Sequence, residues 1–182
     1  MNLPPELLAK TNKEIESDRC DEYVGYRFDV TGYFGYKFFN AECDLICSIS
    51  SIVAPSAPVL INSNTVIWES IFENCTIFPG LSRNVVDKSN DKPIFKLVYK
   101  KRGNYTINGT IEVYCDGANY TFYHEDIIIA KVERFRNHSE QLQINPDTEY
   151  DYIPYYRVTA DNEINKELLK VIFAFPMLKF AF

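Results

Sequence analysis

The segment Asp161–Phe182, DNEINKELLKVIFAFPMLKFAF, decides the fold. It opens with helix-start chemistry. Asp161, or Asn162 one residue later, offers a side-chain oxygen to the unpaired N–H groups of a first turn, and Glu163 suits the positive end of the helix dipole. Ile164, Leu168, Val171, Ile172 and Phe175 then recur at helical spacing, while Asn165, Lys166, Glu167 and Lys170 keep the opposite side polar. From Val171 that polar side disappears: VIFAFPMLKFAF is apolar all round except for Lys179. A helix apolar on every side has to be buried on every side. A single sheet face cannot do this, whereas the interior of a closed β-barrel can. Pro176 lacks an N–H and clashes with the preceding turn, so it should end or kink the helix.

A bilayer also surrounds a helix completely, but spanning it takes roughly 20 mostly apolar residues. Leu168–Phe182 supplies fifteen, interrupted by Lys170, Pro176 and Lys179. The segment is therefore read as core, and no transmembrane segment is expected.

The 182 residues suffice for one domain with a substantial core. Hydrophobic residues are 46% and charged residues 24%, which places the chain among globular proteins. Thirteen Tyr and thirteen Phe favour strands. The net charge of −6 argues against nucleic acid, whose binding needs phosphate neutralisation by Lys and Arg. The opening MNLPPELLAKTNKEIESDRC has no apolar run of the length a secretory signal requires, so a cytoplasmic location is expected. The cysteines, Cys20, Cys43, Cys47, Cys75 and Cys115, are odd in number and form no C-x-x-C pair, which disfavours both a disulfide framework and a zinc site. Five Asn-x-Ser/Thr sequons, at Asn74, Asn104, Asn108, Asn119 and Asn137, are then the mark of an Asn- and Thr-rich β protein rather than of glycosylation.

Residues 1–20 read as a helical arm outside the main body, and 21–182 as the barrel domain. Strand signals begin at Tyr23, where Val24, Tyr26, Phe28 and Val30 alternate with Gly25, Arg27 and Asp29. Tyr33–Phe39 returns after Thr31-Gly32, and Leu45, Cys47 and Ile49 alternate after a turn at 40–42. Cys43 and Cys47 are placed on one side of that strand, as core. A hairpin joins Val59–Asn62 to Val66–Ile71. Ile94–Lys100 carries Phe95, Leu97 and Tyr99 on one face, and Lys101-Arg102-Gly103 turns it. Tyr105–Tyr114 reads as one strand, and Asp116-Gly117 is a strong hairpin signal. Asn119–His124, Ile127–Phe135 and Tyr152–Ala160 follow, with Arg136–Pro146 a polar loop. The total is about twelve strands, joined by short turns that imply antiparallel pairing, in a closed barrel or strongly curled sheet.

This layout, ending in YYRVTADNEINKELLKVIFAF and carrying the extension DIIIAKVERF, resembles the tubby C-terminal-like fold, the group of the tubby proteins, the phospholipid scramblases and the LURP-one-related proteins. The resemblance covers about residues 23–180 and lies in the order of elements rather than in a sharp motif. It implies an antiparallel barrel of about twelve strands around a buried hydrophobic C-terminal helix. It also implies a binding module: tubby domains hold phosphoinositides through basic side chains, and scramblases are associated with calcium and membranes.

The candidate site is the basic group Lys96, Lys100, Lys101 and Arg102, where a hairpin end could hold an anionic headgroup through charge-assisted hydrogen bonds. Charged turns also simply discourage edge pairing. His124-Glu125-Asp126 offers metal or proton-transfer chemistry, but with only two histidines in the chain it reads as a polar turn. Asp147, Glu149 and Asp151 would have to fold back on one another to supply the six or more oxygens that calcium takes. No GxSxG, P-loop, GxGxxG or HExxH pattern occurs. The expectation is a non-enzymatic binding or scaffold module without metal or cofactor, taking a protein partner or an anionic lipid. Its alternative form is a peripheral membrane protein that recognises anionic phospholipid headgroups through the basic turn.

Overall fold

The computed structural model describes residues 19–52, 57–62, 65–70, 82–136 and 154–178. Its strands are β1 (Cys20–Val30), β2 (Tyr33–Phe39), β3 (Leu45–Ile52), β4 (Val59–Ile61), β5 (Thr65–Ser70), β6 (Ser82–Asp87), β7 (Lys92–Tyr99), β8 (Tyr105–Ile107), β9 (Ile111–Asp116), β10 (Asn119–His124), β11 (Ile127–Arg134) and β12 (Pro154–Asp161). Each pairs antiparallel with the next. The pairing of β12 with β1, from Cys20 opposite Asp161 to Gly25 opposite Tyr156, closes the barrel. The expected arm at 1–20 lies outside the described residues apart from Arg19 and Cys20, as does the Asp147, Glu149, Asp151 group.

Helix α1 (Lys166–Ala174) threads this barrel. Leu168 and every residue from Val171 to Leu178 are buried, as an all-apolar helix requires. Phe173 stacks on Phe38 of β2 at 4.5 Å and meets Tyr23 of β1 edge-on at 5.1 Å. Two residues on, Phe175 meets Tyr105, Tyr120 and Phe122 at 5.3, 5.5 and 4.9 Å. The two rings thus bind opposite walls. Burial of each such side chain contributes about 1.5–3 kcal/mol. The α-helix stops at Ala174 and tightens into a 3-10 turn over Phe175–Met177, as Pro176 dictates.

The helix starts later than the capping signals suggest. Asn165 is the N-cap, its Oδ1 accepting from the Glu167 N–H at 2.8 Å. Asp161 ends β12 instead, and its carboxylate accepts from the Glu163 N–H at 2.9 Å within the strand-to-helix turn. Both Asp161 and Asn165 have the right chemistry, and pairing of Asp161 with Cys20 settles which is strand.

Three further readings are corrected. Tyr105–Tyr114 is two strands, β8 and β9, separated by Asn108-Gly109-Thr110, where Asn108 and Gly109 have φ of 51° and 72°. In β1 the buried positions are Tyr23 and Gly25 rather than the alternation from Val24 to Val30, and Val30 is 62% exposed. Gly25 faces inward because the Phe38 ring lies against it: a Cβ there would meet Phe38 Cε1 at 2.5 Å. Cys43 is not core. It is exposed in the turn before β3 with φ of 66°, whereas Cys47 is buried and its thiol is pushed up to about 12 by desolvation.

Asparagine has a repeated structural task. Asn62 follows the three-residue strand β4 and Asn108 follows the three-residue strand β8, both in the left-handed region. In each case the Asn N–H donates to a carbonyl of the neighbouring strand and Oδ1 accepts from the N–H of that same residue, Ser48 for Asn62 and Lys96 for Asn108. The side chain therefore completes a ladder that the short strand leaves unfinished. Asn104 and Asn119 likewise accept from the Cys115 and Arg134 N–H groups. Three of the five sequons are accounted for in this way; Asn74 and Asn137 lie outside the described residues.

Candidate functional site

Strand direction sorts the turns into two ends. We define the upper end as that reached by β1 and by the C-terminus of α1. It holds the turns at 31–32, 100–104 and 117–118 and the start of β12; the lower end holds those at 40–44, 88–91, 108–110, 125–126 and 162–165.

The charges divide in the same way. At the lower end Glu42, Asp44, Asp87, Asp91, Glu125, Asp126, Asp161 and Glu163 outnumber Arg19, Lys88 and Lys92. Arg19 is itself paired with Glu163 at 2.8 Å. Among the upper-end residues whose side chains are described, Lys100, Lys101, Arg102, Arg134, Arg136 and Arg157 outnumber Asp116 and Glu133, and Asp29 is engaged by Arg27 at 3.1 Å. In a chain of net charge −6, the described residues of the upper end are thus predominantly basic.

A cavity of about 530 Å³ opens at that end. Its floor is Pro176 and Leu178 of the helix terminus, and its walls include Tyr99, Tyr105, Tyr120, Tyr156 and Cys115, with Arg102 and Arg134 at the rim. Tyr105 donates from its hydroxyl to the Leu178 carbonyl at 3.4 Å. Desolvation pushes the Tyr105, Tyr120 and Tyr156 phenols well above their ordinary range, so they stay protonated, and Tyr120 and Tyr156 are hydrogen-bonded to Cys115 and Tyr36. Burial raises the Cys115 thiol as well, which makes it a poor nucleophile. Arg134 also borders a second recess of about 220 Å³ with Asn119, Glu133, Phe135, Arg136 and Arg157. There the Arg157 guanidinium lies over the Phe135 ring at 5.3 Å, and the Arg134 guanidinium over Tyr155 at 5.2 Å. Such stacking holds planar cations in place without using their N–H donors.

The sequence-derived residues are only partly brought together. Lys100, Lys101 and Arg102 share the upper rim and are exposed. Lys96 sits on the outer wall, about 13 Å from Lys100 by strand rise, and its backbone is tied to the lower turn through Asn108. Only Arg102 of the four lines the cavity. The turn that carries it is held by the Lys100 N–H to Asn104 carbonyl bond at 2.8 Å and by Asn104 Oδ1 on Cys115. Arg102 has φ of 53°. Seven non-glycine residues are left-handed among the described residues; six are at the lower end, and Arg102 is the other. Asn and Asp tolerate that region, whereas Arg102, like Cys43 and Glu125 at the lower end, adopts it at a local conformational cost.

Arg134, Arg136 and Arg157 were outside the sequence-derived set. The signal for the first two is Arg134-Phe135-Arg136, a basic pair around an aromatic where β11 ends, which is easily read as the start of a polar loop. Arg157 has no local signal; it reaches the site through the pairing of β12 with β11. His124, Glu125 and Asp126 form the β10–β11 turn, with Glu125 and Asp126 left-handed, and no cluster of three metal-ligating side chains forms among the described residues.

No described helix is long and apolar enough to cross a membrane. The fold is a closed twelve-stranded antiparallel barrel around a short helix. No protein family, curated protein or solved structure matches the chain.

Proposed function

We propose that this chain is a non-enzymatic binding module, a tubby-like barrel that holds an anionic partner at its upper end. The observation that carries the reading is the segregation of charge among the described residues: in an acidic chain, six Lys and Arg residues lie at one barrel end, and two of them, Arg102 and Arg134, line its cavity. Guanidiniums are groups that bind anions; with buried phenols beside them they do not make the base and nucleophile pair that hydrolytic chemistry needs. A cytoplasmic location belongs to the same proposal.

The exposed Lys100-Lys101-Arg102 turn favours one form of this reading, recognition of anionic phospholipid headgroups at a membrane surface. Co-sedimentation with vesicles tests it. Phosphoinositide-containing vesicles should pull the protein down at low salt and less at moderate salt, neutral vesicles should not, and Lys100/Lys101/Arg102→Ala should abolish the difference. Equal recovery with both kinds of vesicle, or with neither, would remove the membrane form and leave a protein partner for the basic end.

A further inference from the structure

The mouth cavity is a site in its own right, separate from the exposed lysines of the rim. Its volume of about 530 Å³ falls within the range of small-molecule sites, about 300–1,000 Å³. Its described lining contains two arginines and no carboxylate, in a chain with 25 acidic residues against 19 basic ones. Those arginines come from elements distant in sequence, Arg102 from the β7–β8 turn and Arg134 from the end of β11. Neither has a carboxylate within ion-pair distance among the described residues. Deeper in, the surface changes character. Pro176, Leu178 and the faces of buried Tyr105, Tyr120 and Tyr156 make an apolar, aromatic lower half.

We propose that the cavity binds one small soluble organic anion, a carboxylate, sulfonate or phosphate ester on an aromatic or short apolar body. The charged group is held between Arg102 and Arg134 at the rim. The apolar body rests on Pro176, Leu178 and the tyrosine rings. A free inorganic ion would leave the aromatic half unused, and a neutral apolar molecule would leave the arginines unanswered. A membrane lipid is the weaker fit, because a cavity of about 530 Å³ suits a small molecule rather than a lipid with two acyl chains. The inference rests on the upper end being the binding end, and it adds the class of ligand and the depth of the site.

The test uses two fluorescent probes that share one body, 1-anilinonaphthalene-8-sulfonate and its uncharged counterpart N-phenyl-1-naphthylamine. Titration of the full chain should show one saturable sulfonate site, with the neutral probe binding at least tenfold more weakly. Arg102→Gln and Arg134→Gln should each weaken sulfonate binding about tenfold and leave the neutral probe unchanged. Ala118→Phe fills the cavity from its wall without altering charge, and should remove binding of both probes. Binding of the sulfonate that is insensitive to both Arg→Gln variants, or absent in the wild-type chain, would overturn the proposal. Should Ala118→Phe fail to fold, the Arg→Gln pair still decides. Vesicle binding that survives in Ala118→Phe while the wild-type chain ignores the sulfonate would sink the cavity proposal and keep the basic end as a docking surface; loss of vesicle binding alone would do the reverse.

Discussion

At the lower end of the barrel the turns are closed by asparagine and aspartate, six non-glycine residues adopt the left-handed region, and carboxylates predominate. At the upper end glycines take the left-handed positions at 32, 103 and 117, a lone left-handed arginine stands beside them, and guanidiniums surround a cavity. The hairpins leading to both ends are alike. The difference is that lower-end side chains satisfy the chain's own backbone, as Asn62 and Asn108 do, whereas at the upper end Arg134 and Arg157 lie over the Tyr155 and Phe135 rings and Arg102 and Arg134 line a cavity. One end is closed by the fold itself, and the other is the end proposed to bind an anion.

The helix that joins the ends gives the largest expected effect. Ile172 is fully buried, so Ile172→Asp should prevent folding and abolish both ends at once, because an unpaired charge in that environment is very costly. A soluble variant with an unchanged melting temperature would show that the helix is not the core. A smaller loss is expected for Gly25→Val, where the new Cβ meets the Phe38 ring that stacks on Phe173. Urea unfolding should register a destabilisation of about 1–3 kcal/mol.

The buried thiol supplies a pH dependence. Cys47 moves from an ordinary value of 9.0 to about 12 in the folded chain. The folded state retains a proton that the unfolded chain releases, so this contribution is complete below pH 9 and is lost as pH rises toward 12. Between those limits it falls by about 1.4 kcal/mol per pH unit. Cys47→Ser should flatten that part of the alkaline stability curve; a curve unchanged by the substitution would show that other groups, the buried tyrosines first, account for it.

The sharpest contrast comes from one residue at each end. Asn108→Ala loses the Oδ1 bond to the Lys96 N–H and forces alanine into the left-handed region, and should cost about 1 kcal/mol with vesicle and probe binding intact. Arg102→Gly relieves a left-handed arginine, so stability should hold or rise by up to about 1 kcal/mol while anion binding falls. If Arg102→Gly instead lost stability and kept binding, the contrast between a structural end and a binding end would be broken.

The helix and its barrel were readable because VIFAFPMLKFAF has no polar face, a property that only complete enclosure satisfies. Strand order followed from period-two alternation and short turns. Boundaries were less readable where two residues carried the same chemistry: Asp161 and Asn165 both cap, and only pairing with Cys20 shows that Asp161 is strand. The β8–β9 break was written in Asn108-Gly109 but masked by Ile107, Ile111 and Val113, which alternate across it. In β1 the apolar alternation pointed outward, because Gly25 is inward for what it lacks rather than for what it carries. At the site, the 100–102 turn was legible as a local cluster of charge. Arg134 and Arg157 were not, since Arg134 shares a cavity with Arg102 and a recess with Arg157 only through the folding of the sheet and the pairing of β11 with β12, and no window of sequence contains either.

The most direct test is a titration of the full chain with phenyl phosphate, a small aromatic phosphate ester, followed by backbone amide chemical shifts. The account predicts shifts at 100–104, 117–118, 134–136 and 156–157, with the turns at 40–44, 88–91 and 125–126 unmoved. Shifts spread evenly over both ends, or confined to the lower one, would contradict it.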